Sequence, residues 1–377
     1  MARDIQETNS VILPSYAIGP DAYGALRFAF PTPVRILLIG GEKALAAGQK
    51  ALLQALDQTS YQLAEVVTYK GCCTIADAKT LAERAKGLNA QVIAGMGGGK
   101  ALDTAKACAH FAGLPVITLP TIAATCAAVT ALSVMYHEDG SFDQFLFLKT
   151  PPAHALIHTG IIASAPAKYL RAGMGDAIAK HFESTFSARG DVLGYRDTLG
   201  IAVSRTCYEP LLAVGAQALR DCESNVDSQA LRDAILSNIV STGLVSLLVK
   251  ECYNGALAHS LYYALEPLPE IAHGCLHGDF VAYGVLVQLY MDGQAEKASE
   301  VFRFLVSLGI PVSLKSMGVD TASPVFLNAL GTVAGQPDMR HLPYQVTGQM
   351  VLEAVKKLED RYGSCGFDRG APDCLPT

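Results

Sequence analysis

Charged residues are scarce in this sequence. They make up 17% of the 377 residues, against 50% hydrophobic residues, and the formal net charge at pH 7 is −6. The chain also lacks any run of lysine and arginine. A mildly acidic chain without a basic patch does not attract nucleic acids or anionic membranes, so we expect neither as a partner. The apolar content predicts an extensive core, and the length is sufficient for two domains of ordinary size.

Paired cysteine motifs and an apolar leader are also missing. The ten cysteines contain no C-x-x-C spacing, so we expect neither a zinc knuckle nor a thiol-exchange motif. We expect instead that the cysteines are reduced thiols in a cytoplasmic protein. The first ten residues are polar and charged, unlike a signal peptide. The long uncharged stretch of residues 116–136 contains Pro120 and four threonines, which is more typical of a strand and a ligand-lining loop than of a membrane span.

Strands alternate with helices in the first part of the chain, and helices dominate the second. Strands are predicted at residues 35–41, 61–69, 91–94 and 115–120, with helices at 43–56, 74–88 and 101–111. This alternation predicts a parallel sheet with crossover helices. From residue 166 onward the periodicity predicts helices at 166–189, 195–222, 225–253, 256–265, 278–291, 295–308, 323–334 and 347–361. We therefore predict an α/β domain over residues 1–161 and a helical domain over residues 162–377.

A glycine turn, Gly97-Gly98-Gly99, joins the third predicted strand to the helix after it. A helix that begins at such a turn directs free N–H groups and a positive dipole end at an anion, and glycine lets a pyrophosphate come close. The same turn also occurs in α/β domains that bind no nucleotide. Residues 121–130 follow the next strand and are small or hydroxyl-bearing, which favours the wall of a ligand pocket over an ordinary exposed connection.

One carboxylate and several histidines are candidate metal ligands. Asp176 lies in an apolar helical stretch, where it must be paired, coordinated or exposed, and an ion pair with Lys180 one turn later would satisfy it. His259 and His277 lie on later helices, and His273 competes with His277 as a ligand. One carboxylate with two histidines suits a catalytic divalent metal with an open position, but spacing alone does not bring them together.

Taken together, these stretches resemble the iron-containing alcohol dehydrogenase superfamily, most closely its glycerol-dehydrogenase-like branch. The resemblance extends over roughly residues 10–360 and rests on residues 97–100 with Asp103 and Lys106, 120–123, 131–134 with Tyr136, 173–176, 258–259 and 277–278. It implies an N-terminal α/β domain with a parallel Rossmann-like sheet that binds the dinucleotide. It further implies an all-α C-terminal domain that holds the metal, as in the dehydroquinate synthase-like fold.

The resemblance also implies the site residues. Asp176, His259 and His277 would hold one divalent metal, Zn or Fe. The cofactor, NADP or NAD, would be bound by Gly40, Lys43, Gly97, Gly98, Gly99, Lys100, Ala101, Leu102, Asp103, Thr121, Ala124, Thr125, Thr130, Leu132 and Tyr136. NAD-preferring relatives carry an acidic residue where Gly40 and Gly41 stand, so Lys43 favours NADP, whereas an inward-turned Glu42 would favour NAD.

Two departures from glycerol dehydrogenases bear on the substrate. Cys126 stands where they carry an aspartate that holds a substrate hydroxyl, and Tyr262 stands where they carry a histidine. Loss of an anion, with Lys180 as a cation, resembles the hydroxycarboxylate dehydrogenases and suits a 2-oxo acid. We therefore expect Lys180 to bind the substrate carboxylate. Tyr262, His273 or a water chain would supply the proton.

Other functions stay open at this stage. The chain could be a glycerol or polyol dehydrogenase, or a metal-dependent lyase or cyclase resembling dehydroquinate synthase. A third hypothesis is a non-catalytic nucleotide-binding protein whose enzymatic site has decayed. In each enzymatic case the expected partners are a small-molecule substrate and further copies of the chain in a homo-oligomer.

Overall fold

A parallel sheet forms the centre of the first part of the chain. The computed structural model describes residues 10–30 and 32–363. The strands in this part of the chain are Ser15–Gly19 (β1), Arg35–Gly41 (β2), Gln62–Tyr69 (β3), Val92–Gly97 (β4), Val116–Pro120 (β5), Leu132–Tyr136 (β6), Phe142–Phe147 (β7) and His154–His158 (β8). Six strands pair in parallel in the order β1-β8-β5-β4-β2-β3, and β6 and β7 form an antiparallel hairpin. The central strands β4 and β5 are buried along their whole length, as expected when helices cover both faces of a sheet.

Helices connect the strands and then make up the rest of the described chain. They are Glu42–Leu56 (α1), Ile75–Gly87 (α2), Gly99–Ala112 (α3), Thr159–Ala163 (α4), Lys168–Ser187 (α5), Tyr195–Ser204 (α6), Glu209–Glu223 (α7), Gln229–Leu236 (α8), Thr242–Leu248 (α9), Leu257–Leu265 (α10), Pro269–Gly274 (α11), His277–Met291 (α12), Ala295–Leu308 (α13), Pro324–Gly331 (α14) and Gly348–Tyr362 (α15). The predicted fold class, a parallel Rossmann-like sheet followed by a helical region, is confirmed.

The chain divides into two compact units. The first contains Ser10–Ala167 and Arg220–Leu247, and the second contains Lys168–Leu219 and the described residues from Leu248 onward. This division differs from the predicted boundary after residue 161, because the segment Arg220–Leu247 packs on the α/β unit. Within that unit, Asn238 Nδ2 donates to the Ala123 carbonyl at 2.9 Å, and a Cβ on Gly243 would lie 2.0 Å from Val129 Cγ2.

The segment Gln229–Leu248 is continuous helix with one irregular turn. Residues Ser237–Ser241 form a π-helical turn between α8 and α9, and Thr242 Oγ1 donates to the Ser237 carbonyl at 2.9 Å. Of the described helices, this stretch is the one long and apolar enough to cross a membrane by length and composition. It is 61% buried, and a core helix meets the same criteria, so the stretch is weak evidence for a membrane span.

Candidate metal centre and nucleotide-binding loops

Asp176, His259 and His277 come together from three helices of the second unit. Asp176 lies on α5, His259 on α10 and His277 at the start of α12. His259 Nε2 lies 3.4 Å and His277 Nε2 lies 3.6 Å from Asp176 Oδ1. One ligand atom from each residue lies within 4.8 Å of the other two. The spacing in the sequence did not establish that these three residues converge, and the structure shows that they do.

Two glycines bring the backbones of α5 and α12 into contact at this site. A Cβ on Gly175 would lie 2.2 Å from the Gly278 carbonyl oxygen, and a Cβ on Gly278 would lie 1.9 Å from the Ala172 carbonyl oxygen. Each glycine is the sequence neighbour of a candidate ligand, Asp176 or His277. The contact of the two helices therefore sets the distance between these ligands.

A second acidic residue, Glu183, lies behind His259. It follows Asp176 by two turns of α5, which places both on one face of the helix. Glu183 Oε2 accepts from His259 Nδ1 at 2.5 Å, and Oε1 accepts from the backbone N–H groups of Ala256 and His259, both at 2.9 Å. Glu183 is fully buried. Sequence reasoning missed its role; the available signal was a second carboxylate two turns after the first in an apolar helix.

The electrostatics of the cluster suit a cation. Burial alone would lower the pKa of His259. The carboxylates of Glu183 and Asp176 outweigh the effect of burial and raise this pKa to about 10. Against the same burial, hydrogen bonds and charge from His259 and His277 hold the pKa of Asp176 well below its usual range. Two imidazoles and one carboxylate fit Zn²⁺ or Fe²⁺ with positions left for substrate, and a bound metal would displace the proton of His259.

Of the predicted catalytic residues, Lys180 and Tyr262 lie beside the cluster. Lys180 Nζ donates to the Asn254 carbonyl at 2.7 Å and to Asn254 Oδ1 at 3.3 Å, one turn of α5 after Asp176. The Tyr262 ring packs edge-on against His277, with ring centroids 4.5 Å apart. Its hydroxyl donates to Glu266 Oε1 at 2.9 Å.

The other two predicted catalytic residues are not members of the ligand cluster. His273 is exposed on α11, and the ligand cluster of the described residues contains His277 and not His273. Cys126 is half-buried in the loop of residues 121–130, in the first unit.

Two groups near the cluster were not predicted. Burial raises the pKa of Asp338, and Glu183 raises it further, while His259 and Lys180 lower it. Tyr263 packs beside His259, with ring centroids 6.2 Å apart, and burial raises the pKa of its hydroxyl well above the usual value. Asp338 lies far from any recognised motif in the sequence, and Tyr263, although next to Tyr262, belongs to none, so the tertiary fold identifies both.

In the first unit, the glycine turn packs directly on the loop of residues 121–130. The Thr121 N–H donates to the Gly97 carbonyl at 3.1 Å, and Gly97 has φ +150°, which favours glycine. A Cβ on Gly98 would lie 2.7 Å from Ile122 Cδ1. Helix α3 begins at Gly99 without a side-chain cap, so its first N–H groups suit an anion such as a pyrophosphate.

Further cofactor candidates border this turn or the end of β2. Lys100 lies over the ring of Tyr136, with Nζ 4.3 Å from the ring centroid. A Cβ on Gly40 would lie 2.9 Å from the Met96 carbonyl oxygen, and Lys43 is exposed in the first turn of α1. Ala124 and Thr125 are half-buried in the loop, and Thr125 Oγ1 would lie 3.5 Å from a Cβ on Gly99.

Several other candidates have their polar groups engaged inside the unit. Lys106 Nζ pairs with Asp103 Oδ1 at 2.8 Å and donates to Thr130 Oγ1 at 3.2 Å and to the Leu132 carbonyl. Asp103 Oδ2 also accepts from the Val134 N–H at 3.2 Å. The side chains of Ala101 and Leu102 are buried. These contacts hold α3 against β6 and thereby stabilise the position of the glycine turn.

Comparison with known proteins identifies relatives that are all named as dehydrogenases in the matches given next. A family model described as iron-containing alcohol dehydrogenase matches residues 14–159. Glycerol dehydrogenase of Pseudomonas putida is 32% identical over 348 residues, which cover 90% of this chain and 94% of the relative. Hydroxycarboxylate dehydrogenase A of Escherichia coli K12 is 33% identical over 328 residues, covering 86% and 89%. The crystal structure of a probable glycerol dehydrogenase from Sinorhizobium meliloti 1021 has a TM-score of 0.79 at 26% identity, covering 95% of this chain and 99% of that one.

Proposed function

Because the chain belongs to the iron-containing alcohol dehydrogenase family, and is thus a metal-containing NAD(P)-dependent dehydrogenase, we propose that it interconverts a small 2-oxo acid and the corresponding 2-hydroxy acid. The observation that carries the proposal is the place of Lys180, whose side chain bears an ammonium group, one helical turn after Asp176 of the three-residue metal cluster on α5. A cation beside the metal ligands suits a substrate that bears a carboxylate next to its carbonyl.

Each residue of the site has a distinct task in this proposal. When bound, a divalent cation supplies Lewis acidity toward the carbonyl oxygen, and the nicotinamide supplies the hydride. Asp176, His259 and His277 hold the cation. Lys180 has three N–H donors, two of which reach Asn254, so one is left for the substrate carboxylate. Tyr262, whose ring lies against His277, is the nearest of the predicted proton donors to the cluster.

The preferred nucleotide in this proposal is NADP(H). Glycines end strand β2, and Lys43 is exposed in the first turn of α1, where it can meet a 2′-phosphate. Glu42 is exposed beside it and would favour NAD instead. We also propose a cytoplasmic homo-oligomer; none of the eight cysteines of the described residues forms a disulfide, in keeping with a reducing compartment.

Glycerol or polyol oxidation is the second candidate, because the relatives include proteins named glycerol dehydrogenase. Cys126 supports the 2-oxo acid over the polyol, since a thiol does not replace a carboxylate as an acceptor for a substrate hydroxyl. A dehydroquinate synthase-like lyase or cyclase is the third candidate, and it would show no net turnover of nicotinamide.

Oxidation of NADPH and NADH with a carbonyl panel tests the proposal. The panel contains 2-oxobutanoate, 2-oxoglutarate, dihydroxyacetone and simple aldehydes, with enzyme preloaded with Zn²⁺ or Fe²⁺. We expect turnover of the 2-oxo acids. Turnover of dihydroxyacetone alone would support glycerol or polyol oxidation instead. Absence of any turnover with metal bound would favour the lyase or cyclase.

A further inference from the structure

We propose that Glu183 is a positioning residue that fixes His259 as a metal ligand with its proton on Nδ1 and its lone pair on Nε2. The inference rests on the metal site of the proposed function, but it does not depend on which substrate the enzyme takes. It assigns a role to a residue that does not itself contact the cluster of ligand atoms.

Both oxygens of Glu183 are committed to the start of helix α10. Oε2 accepts from His259 Nδ1, and Oε1 accepts from the N–H groups of Ala256 and His259. Ala256 is the N-cap of α10 and cannot cap the helix with its own side chain. Glu183 therefore caps α10 from another helix, where the positive end of the helix dipole also favours an anion.

The same contacts decide which imidazole nitrogen is free. A carboxylate accepts hydrogen bonds and donates none when ionised, so the atom that faces Glu183 Oε2 must carry a proton. In neutral His259 the remaining nitrogen, Nε2, is then an acceptor, and it is the nitrogen directed at Asp176 Oδ1. A carboxylate behind a ligating histidine also raises its basicity and restricts rotation of the ring.

Burial makes this arrangement rigid. Glu183 is 0% exposed, so water does not compete for its oxygens. An uncompensated carboxylate at this position would be strongly destabilising, and three N–H donors compensate it. The backbone bonds hold the carboxylate in place independently of the His259 side chain, so the imidazole is oriented by a group that is already fixed.

Metal affinity of Glu183→Gln is the direct test. The glutamine oxygen can still accept from the two backbone N–H groups, which places the amide NH₂ opposite Nδ1. Nδ1 must then accept, and the proton moves to Nε2, the metal-binding atom. We expect Zn²⁺ and Co²⁺ affinity, measured by chelator competition without substrate or nucleotide, to fall about 10- to 100-fold. The visible absorption of bound Co²⁺ should change as well.

Two further variants separate positioning from a general loss of structure. Asp197→Asn is the matched control, because Asp197 is a buried carboxylate of the same unit that accepts from the Lys250 N–H at 2.8 Å, and it should bind metal as wild type does. In a His259→Gln background, Glu183→Gln should cause no further loss of affinity. If Glu183→Gln does not fold, Glu183→Asp keeps the charge but withdraws the carboxylate, and a smaller loss is expected.

Wild-type metal affinity in a folded Glu183→Gln or Glu183→Asp protein would overturn the inference. So would an equal loss in the presence and absence of the His259 side chain. Because these measurements contain no substrate, failure of the 2-oxo acid assignment would leave them unaffected, and failure of the inference would leave the carbonyl panel of the wild-type enzyme unaffected.

Discussion

Gly175 and Gly278 face each other where helices α5 and α12 cross, and neither position has room for a methyl group. The helix backbones can touch here only because both residues lack a Cβ. Since Asp176 and His277 are the adjacent residues in the sequence, the crossing determines both the packing of the helical unit and the geometry of the metal centre.

Gly278→Ala is expected to damage stability and metal binding together. The new Cβ would overlap the Ala172 carbonyl, and overpacking of a rigid core costs about 1 to 3 kcal/mol or more. Separation of the helices would also move His277 away from Asp176. Urea unfolding and Zn²⁺ chelator competition measure the two effects.

Gly331→Ala is the matched control for this substitution. Gly331 ends helix α14 in the same unit, and a Cβ there meets nothing within 4 Å. We expect unchanged metal affinity and unchanged or slightly higher stability. If Gly278→Ala bound metal with wild-type affinity, the helix crossing would not control the ligand geometry.

Lys180→Met should impair the reduction of 2-oxo acids selectively. Loss of a charge-assisted hydrogen bond costs about 1.5 to 3 kcal/mol, which corresponds to a fall in kcat/KM of about 10- to 100-fold. The expected change is mainly in KM. An uncharged aldehyde of the same length should react with nearly unchanged kcat/KM.

Metal content must be measured on the same Lys180→Met samples, because Lys180 also lies in the field of Glu183. An equal fall for the acid and the aldehyde would assign Lys180 to the structure of the site. An unchanged KM for 2-oxo acids would remove the main support for a carboxylate-bearing substrate.

Lys106→Met is expected to destabilise the α/β unit by about 3 to 5 kcal/mol, because it leaves the buried carboxylate of Asp103 without its ion-pair partner. The double variant Lys106→Met, Asp103→Asn removes the buried charge as well and should recover part of the loss. Chemical unfolding of the three proteins measures this difference. An equal loss in the single and double variants would show that the Lys106 bonds to Thr130 and Leu132, rather than the ion pair, carry the stability.

Local sequence patterns predicted those parts of the fold that short-range physics determines. Apolar runs predicted β2, β3, β4 and β5, and a helix was predicted to begin at Thr74, which caps α2 by accepting from the Asp77 N–H at 3.0 Å. Strands β1 and β8 were not predicted, because they pair residues 15–19 with residues 154–158, and a local pattern does not reveal a pairing so distant in sequence.

The same distinction between local pattern and tertiary contact applies to the candidate site. Asp176 was recognisable as a carboxylate in an apolar helix, and the resemblance supplied His259 and His277. Glu183 was not recognisable, because its role depends on where α10 begins relative to α5. The segment Arg220–Leu247 has the helical periodicity of the second unit, so only its tertiary contacts assign it to the first.

Mild acid is expected to destabilise the helical unit through His181. Burial, with Arg205 and Lys297 adding to it, lowers the pKa of His181 to about 4, while an unfolded histidine titrates near 6.5. Between these values the unfolded chain binds the extra proton, so stability is present above pH 6.5 and is lost as the pH falls toward 4. The loss from this residue should reach about 2 kcal/mol by pH 4.5.

Unfolding free energies of wild type and His181→Gln at pH 7.5, 6, 5 and 4.5 isolate this contribution. His181→Gln should be less stable than wild type at pH 7.5, because the stacking on Tyr208 and the bond to Ser204 are lost. Its stability should then fall less steeply with acid, so the two curves converge. His137→Gln is the control, since His137 is exposed, and its curve should run parallel to wild type. Parallel curves for His181→Gln would mean that the ring accepts its proton in the folded chain without penalty, which is incompatible with its burial against two cationic residues.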